Sequence, residues 1–283
     1  MSRTESPSSI NMFRQCQRKY YYVYKEKKRS PPNIHTVRGN IAHTVLERFY
    51  DFKCPDIPKS SCSPVLQDYM FTLLAEEWKN YDDKLKEVNC TPSMSKTYFE
   101  ETLIMLLKWL EAFITMIKES PEQTFAEAFK SLTPIVREKK FQSPKHNVLG
   151  IVDAVRKHGN EMLVIDYKTS KDAHISEEYR LQAAIYALLY IENHGAPPSK
   201  IEFHFLKHDI VDVPVTPELV DFARNEIAKV HSSTSSNFME DYPKNITKLC
   251  NYCDFFNLCF QNKESYSAAL EIKRGKIPVG IKD

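Results

Sequence analysis

The segment VIDYKTSK (Val164–Lys171) places Asp166 and Lys168 at the end of an apolar run. In a strand, side chains two positions apart point to the same face. Burying a carboxylate beside an ammonium costs free energy unless a partner, a metal ion or a reaction compensates for the burial. The pair is therefore either an exposed ion pair at the end of a strand or part of a functional site.

A second carboxylate, Asp153, ends the segment GIVD in the preceding apolar run. If the two runs are adjacent strands, Asp153 and Asp166 lie within a few ångströms of each other. Two close carboxylates repel, which raises a pKa unless a cation lies between them. Mg²⁺ or Mn²⁺ suits such a pair, because hard divalent ions prefer oxygen ligands and keep open positions for water. Lys168 would then hold or activate the attacking water, or stabilise a charged phosphate.

The elements that must position these residues follow from the pattern of the chain. Three short β-rich segments are separated by turn signals at residues 143–144 and 158–160. The helix SEEYRLQAAIYALLYIENHG follows and closes at Gly195. Two further strands, IEFHFLKH and IVDVPV, and a capped helix come next. This order predicts an α/β fold around a small mixed sheet.

Helices are predicted before the strands. Ser6 and Pro7 are typical of a helix start. The helix TVRGNIAHTVLERFYDF carries His43 and Glu47 four residues apart, on one face. Residues 54–130 contain two long amphipathic segments, which we interpret as a helical arm inserted between the site residues.

Composition excludes several classes of protein. The 283 residues are 42% hydrophobic, enough for the core of one or two domains. Only 6 are glycine, which argues against a glycine-rich nucleotide loop. No apolar run reaches the roughly 18 residues of a membrane span, and the N-terminus has no apolar signal segment. We expect a cytoplasmic protein with no membrane partner.

The net charge of +2 does not by itself indicate nucleic-acid binding, so any basic surface must come from local clustering. The stretch CQRKYYYVYKEKKR combines basic and aromatic residues, with Arg18 and Lys19 near its start. Lys and Arg neutralise phosphates, and Tyr stacks on unpaired bases. Packing of the tyrosines inside the protein is the alternative. We predict nucleic-acid contacts for Arg18 and Lys19.

The sequence contains 7 cysteines, an odd number, and we identify no export signal. Both observations argue against a disulfide framework. Cys250, Cys253 and Cys259 form a C-x-x-C-x-x-x-x-x-C motif, and Cys16 is a candidate fourth ligand. Four thiolates can hold an iron–sulfur cluster or a structural Zn²⁺, and spacing alone does not choose between the two. We interpret the cysteines within residues 54–130 as ordinary, partly buried thiols.

Taken together, GIVDAV and VIDYKTSK resemble the core of the PD-(D/E)xK nuclease superfamily, in its RecB-like branch. GNIAHTVLE resembles the G-x-x-x-H-x-x-L-E helix of that branch, and QAAIY resembles its Q-x-x-x-Y motif. The resemblance implies a restriction-endonuclease-like core and makes His43 a further metal ligand. It places Glu138 where many relatives have a glutamate. It also implies that Gln182 and Tyr186 face the DNA or the site.

The cysteine pattern is similar to that of iron–sulfur RecB-like nucleases, which include CRISPR-associated RecB-like exonucleases. In those proteins one N-terminal and three C-terminal cysteines hold a 4Fe–4S cluster that joins the ends of the chain. The resemblance implies the same ligands here, with a structural role. It suggests four regions: N-terminal helices at 1–53, a helical insertion at 54–130, a nuclease core at 131–232, and an iron–sulfur region at 233–283 with a loosely held basic tail.

Two functions follow as hypotheses. The first is a metal-dependent DNA exonuclease acting on single strands or strand ends. Its Mg²⁺ or Mn²⁺ is held by His43, Asp153, Asp166 and the Tyr167 carbonyl, with Glu47 and Glu138 as further candidates. The second is a non-catalytic DNA-binding or adaptor subunit of a larger assembly in DNA repair or CRISPR adaptation. Missing catalytic residues would indicate the second, and none of the motif residues is missing.

Overall fold

The structure is a computed structural model that describes residues 3–274. These residues form eleven α-helices and five β-strands. The helices are α1 (Pro7–Gln15), α2 (Gln17–Tyr20), α3 (Ile34–Phe49), α4 (Cys62–Asn80), α5 (Asp82–Glu87), α6 (Pro92–Glu119), α7 (Phe125–Leu132), α8 (Glu177–His194), α9 (Pro217–Ser233), α10 (Phe256–Cys259) and α11 (Lys263–Lys273). The strands are β1 (Val136–Ser143), β2 (Val148–His158), β3 (Glu161–Lys168), β4 (Lys200–Phe205) and β5 (Ile210–Pro214). None of these described helices combines the length and hydropathy that crossing a membrane requires.

The chain divides into two compact units. The terminal unit comprises Met1–Pro31 and Glu226–Asp283, as far as the structure describes them, and the central unit is Pro32–Asn225. The sequence did not predict α11, which contains the first residues of the expected basic tail. The rest of that tail lies outside the described residues.

The central unit contains a mixed sheet with the strand order β1-β2-β3-β4-β5. The first three strands are antiparallel neighbours, β4 runs parallel to β3, and β5 is antiparallel to β4. A parallel pair needs a crossover connection, and α8 provides it between β3 and β4. Helix α8 contacts β1, β2 and β4. The predicted α/β fold with a small mixed sheet is therefore confirmed.

The long helices of residues 54–130 share a core with this sheet. Phe49 of α3 packs edge-on against Trp109 and Phe113 of α6, with both ring centroids 5.3 Å away. The same core includes Ile165 and Tyr167 of β3. Replacing one such buried aromatic residue with alanine typically costs about 3–5 kcal/mol. The helical segment is thus an integral layer of the central unit, because its apolar stripes are buried against α3 and the sheet.

In the terminal unit, α1 begins as predicted, with Ser6 as a capping residue and Pro7 in the first turn. The aromatic stretch that follows is mainly buried. Tyr20, Tyr21 and Tyr22 are each at most 9% exposed. The Tyr20 hydroxyl donates a 2.5 Å hydrogen bond to Glu5 Oε1. Internal packing therefore accounts for these three rings, which leaves them no free face for base stacking.

Candidate metal centre

Three carboxylates lie in one row across β1, β2 and β3. The pairs that flank Glu138 and Asp153 place these two residues opposite each other on β1 and β2. The pairing of β2 with β3 ends at Ala154 and Ile165, so Asp153 and Asp166 are the next residues in the same register. The sheet thereby brings together the two aspartates that the sequence predicted to be close.

Glu138 has an unusual backbone conformation, with φ of +43°. This is the left-handed region, which costs a non-glycine residue about 1–3 kcal/mol and is often retained at functional sites. The β1–β2 ladder skips Glu138, and its side chain approaches the acidic row. No signal in the sequence predicted this conformation.

His43 approaches the row from α3. Its Nδ1 lies 3.4 Å from Asp153 Oδ2 and 3.8 Å from Glu138 Oε1. One ligand atom from each of the three residues lies within 4.8 Å of the others, a spacing that can accommodate a metal ion. Burial alone would lower the pKa of His43, but the hydrogen bonds to Asp153 and Glu138 raise that pKa to about 10. Without a metal, an imidazolium supplies the positive charge between the carboxylates.

Asp166 is only 2% exposed. Burial is the main cause that raises its pKa to about 6; the charge of Asp153 raises it further, and Lys168 opposes the shift. Its Oδ1 accepts a 2.7 Å hydrogen bond from Gln182 Nε2. Its Oδ2 lies 2.6 Å from Lys168 Nζ as an ion pair, but it accepts no well-directed hydrogen bond from the described residues. This buried oxygen lies in a row of acids and accepts no well-directed hydrogen bond from that part of the chain. It is therefore suited to act as a ligand of a cation.

Gln182 and Tyr186 lie on α8 and reach the same row. Gln182 Oε1 accepts a 2.8 Å hydrogen bond from Lys168 Nζ, so one amide contacts both residues of the Asp–x–Lys pair. The Tyr186 hydroxyl contacts Gln182 Nε2 at 2.8 Å and donates to the Ile151 carbonyl at 2.7 Å. At Gly150 an added Cβ would lie 3.0 Å from the Tyr186 ring, so this glycine makes room for the tyrosine.

The other predicted site residues occupy distinct places. The Tyr167 amide donates a 2.7 Å hydrogen bond to Asp153 Oδ2, and its side chain is buried with the hydroxyl 3.3 Å from that of Tyr50. Glu47 is half-buried, and burial followed by the charge of Glu138 raises its pKa. Glu47 therefore lies within electrostatic reach of the acidic row.

Sequence reasoning missed the aromatic residues around Lys168. The Lys168 Nζ lies 4.9 Å from the centroid of the Tyr179 ring and 5.5 Å from that of Phe203. Such cation–π contacts contribute about 0.5–2 kcal/mol and restrict the position of the ammonium. Tyr179 lies three residues before Gln182 on α8, and this helical spacing is the signal that could have identified it.

The terminal unit brings the four predicted cysteine ligands together. Cys16, Cys250, Cys253 and Cys259 line one cavity of about 30 Å³. Burial raises the pKa of Cys253 and Cys259, and the charges of neighbouring cysteines raise both further. These thiols therefore lie within electrostatic reach of one another, as a shared metal cluster would require.

The two basic residues that the sequence predicted to contact nucleic acid differ in their surroundings. Lys19 lines the cavity of the four cysteines. Arg18 donates a 2.7 Å hydrogen bond through Nε to the Tyr242 carbonyl, within the same unit. The remaining cysteines, Cys54, Cys62 and Cys90, belong to the core of the central unit or pack against it.

The family model of the PD-(D/E)XK nuclease superfamily matches residues 4–260, and the chain belongs to this superfamily. It is 29% identical over 118 residues to the CRISPR-associated exonuclease Cas4 of Francisella tularensis subsp. novicida (strain U112). That match spans 42% of this chain and 59% of the relative. A solved structure from Eubacterium rectale, described as a candidate exonuclease, covers 98% of this chain and 83% of its own, with 11% identity and a TM-score of 0.45. The superfamily resemblance that the motifs indicated is confirmed.

Proposed function

We propose that the protein is a divalent-metal-dependent DNA exonuclease acting on single strands or strand ends. The observation that carries the proposal is the row of Glu138, Asp153 and Asp166, with His43 at one side and Lys168 at the other. Membership of a nuclease superfamily supports the reaction class. The similarity to an exonuclease supports attack at strand ends.

The donor set suits Mn²⁺ or Mg²⁺. His43, Asp153, Asp166 and the Tyr167 carbonyl would hold the ion, since three oxygens and one imidazole match a hard cation that accepts some nitrogen ligation. When bound, the ion supplies positive charge to the phosphate and makes water a stronger nucleophile. Glu138 is a further candidate, because its carboxylate already shares the position with His43 and Asp153.

The ammonium group of Lys168 is held in position beside the candidate metal site. Gln182 and Asp166 hold Nζ from two sides, and the group remains half-buried at the end of β3. From this place it donates a hydrogen bond either to the attacking water or to a non-bridging phosphate oxygen. Both interactions favour the extra negative charge that develops as the phosphodiester is cleaved.

We also propose that Cys16, Cys250, Cys253 and Cys259 hold a 4Fe–4S cluster. Four thiolates are a sufficient ligand set for such a cluster, and the four thiols share one cavity. The cluster would supply a cross-link between the two ends of the chain. Structural Zn²⁺ is the alternative, and analysis for iron, sulfide and zinc decides between them.

The pathway is also a proposal. The relative named as a CRISPR-associated exonuclease favours a role in CRISPR adaptation or DNA repair, in which a protein partner would direct the nuclease to its DNA. The alternative of a non-catalytic adaptor would require a site that binds DNA without cutting it. Cleavage assays therefore test both functions.

Anaerobically purified protein should be incubated with end-labelled linear single-stranded and double-stranded DNA, and with circular single-stranded DNA. We expect Mn²⁺ or Mg²⁺ to support cleavage of linear single strands and excess chelator to stop it, while circular DNA stays intact. Asp166→Ala, with an unchanged circular dichroism spectrum and cluster absorbance, serves as the inactive control. Undiminished cleavage in excess chelator would overturn the metal mechanism, and cleavage of circles would overturn the exonuclease assignment.

A further inference from the structure

A second cavity of about 520 Å³ opens in the central unit, next to the end of the strand that carries Asp166 and Lys168. Thr169, Ser170 and Lys171 form one wall, and they directly follow Lys168 in the chain. The first two turns of α3, the N-terminal half of α6 and the residue Lys207, which follows β4, form the rest. The cavity is therefore continuous along the backbone with the candidate metal centre, but none of its lining residues belongs to that centre.

Arg38 is the buried charge of this cavity. It is 6% exposed, its Cζ lies 4.7 Å above the ring of Tyr98, and its Nε lies 3.3 Å from Thr102 Oγ1. Its Nη2 is buried and makes no well-directed hydrogen bond with the described residues. Among the described residues, its ion-pair partner is the Glu101 carboxylate, 2.9 Å from Nη2. A stacked guanidinium whose Nη2 meets an exposed carboxylate without a well-directed hydrogen bond is pre-organised to exchange that carboxylate for a phosphate, which accepts two parallel hydrogen bonds.

The charges around the cavity favour an anion. Arg38, Lys171 and Lys207 contribute three positive charges and Glu101 contributes one negative charge, which leaves a net charge of +2 on the lining. The Thr169 and Ser170 side chains add hydroxyl groups to the wall. The Glu101 side chain is 49% exposed, so it can turn towards solvent when an anion takes its place beside Arg38.

We propose that this cavity is a phosphate-binding pocket that holds a phosphate of the nucleic-acid strand being cut. The proposal rests on the proposed nuclease function, since it names how that function anchors its substrate. The phosphate can come from the backbone or from the end of the strand, and these two sources share the same chemistry. Arg38 acts here by binding and positioning the strand.

Binding of fluorescent single-stranded oligonucleotides should be measured with Ca²⁺ in place of Mg²⁺ or Mn²⁺. The oligonucleotides carry either a terminal phosphate or hydroxyl groups at both ends. We expect Arg38→Gln to weaken binding about tenfold or more, as for loss of a hydrogen bond between charged groups. Glu101→Gln should strengthen binding, because it removes the competing carboxylate. Lys130→Gln removes an exposed charge of α7 outside the pocket and should leave binding unchanged.

The two sources of the phosphate give different patterns. If Arg38→Gln removes a preference for the phosphorylated end, the pocket holds a terminal phosphate. If Arg38→Gln weakens the binding of both oligonucleotides equally, the pocket holds a backbone phosphate. Because Arg38 is buried and its variant can unfold, Lys171→Gln provides a second test at an exposed side chain and should weaken binding about threefold.

The proposal is overturned if Arg38→Gln and Lys171→Gln bind as Lys130→Gln does. It is also overturned if Glu101→Gln weakens binding as much as Arg38→Gln, because the pair would then be a structural ion pair. The nuclease function fails separately. A wild-type protein that never cleaves, but whose binding still depends on Arg38, would overturn the reaction and support the pocket.

Discussion

The amide of Gln182 holds the carboxylate of Asp166 through a hydrogen bond of 2.7 Å from Nε2 to Oδ1. The oxygen of the same amide accepts a hydrogen bond from Lys168. One side chain thus fixes the relative positions of the acid and the base of the Asp–x–Lys pair. Such a bridge is lost when the amide is removed, although no ligand of the candidate metal site is changed.

Replacing Gln182 with alanine should therefore lower the rate of cleavage about 10- to 100-fold with little change in DNA affinity, since the removed contacts act on the reacting groups. Tyr186→Ala should weaken cleavage to a smaller extent, because Tyr186 acts through Gln182. Single-turnover rates with saturating DNA measure both effects. Metal content and cluster absorbance should stay at the wild-type level. If both variants cleave at the wild-type rate, the pair serves only to pack α8.

Lys168→Ala should lose cleavage while keeping its affinity for DNA, because the proposed role of Lys168 is in the chemical step. The same change removes the charge that lowers the pKa of Asp166, so it should move that pKa upwards from about 6. Between pH 5 and 8, the metal affinity of Lys168→Ala should then fall more steeply on acidification than that of the wild type. Metal titrations between pH 5 and 8 check this shift. A variant that cleaves at the wild-type rate would refute the assignment.

Metal binding should release a proton from His43. Hydrogen bonds to carboxylates hold its pKa at about 10 in the metal-free protein, whereas an imidazole that binds a metal ion must be neutral. At pH 7.5 we expect release of about one proton per Mn²⁺ bound, and an affinity that rises with pH up to about 10. Calorimetric titrations in two buffers with different ionisation enthalpies measure the proton count. His43→Gln should bind metal more weakly and release no proton.

Asp166→Asn should stabilise the metal-free protein although it abolishes cleavage. The pKa of Asp166 is raised in the folded state, so ionisation of this group destabilises the fold, and stability falls as pH rises from about 4 to about 6. At pH 8 the variant should unfold with a free energy roughly 1–3 kcal/mol higher than that of the wild type. Near pH 4 the difference should disappear, because both side chains are then neutral. Thermal denaturation at the two pH values in chelator tests this expectation.

Each of Cys16→Ala, Cys250→Ala, Cys253→Ala and Cys259→Ala should lose the brown absorbance of an iron–sulfur cluster and lower the melting temperature. Linking Cys16 to Cys250 closes a very long loop, and the loss of this cross-link should cost about 5–6 kcal/mol on the loop-entropy argument. Cys54→Ala, Cys62→Ala and Cys90→Ala are matched controls that should keep the colour. A colourless wild-type protein with stoichiometric zinc would replace the cluster with a zinc site and leave the nuclease proposal intact.

The sequence by itself determined the order of the elements and the residue types of the site. Apolar runs with turn signals predict β1 to β5, because strand periodicity and loop residues are local properties of the chain. Gly195 ends α8 with φ of +78°, a conformation that glycine adopts freely. Asp153 and Asp166 could be expected to meet, since they lie on neighbouring strands. The spacing of the cysteine motif likewise indicates a set of metal ligands from the sequence alone.

Only the tertiary structure decided which residues that are distant in the sequence lie close together in space. The left-handed backbone of Glu138 sets it into the acidic row, and no local pattern encodes that strain. The burial of Tyr20, Tyr21 and Tyr22 depends on partners such as Tyr242, more than two hundred residues away in the chain. Arg38 becomes a buried donor only because α6 covers it. Proximity between remote segments follows from packing of the whole core, and periodicity along the chain carries no information about it.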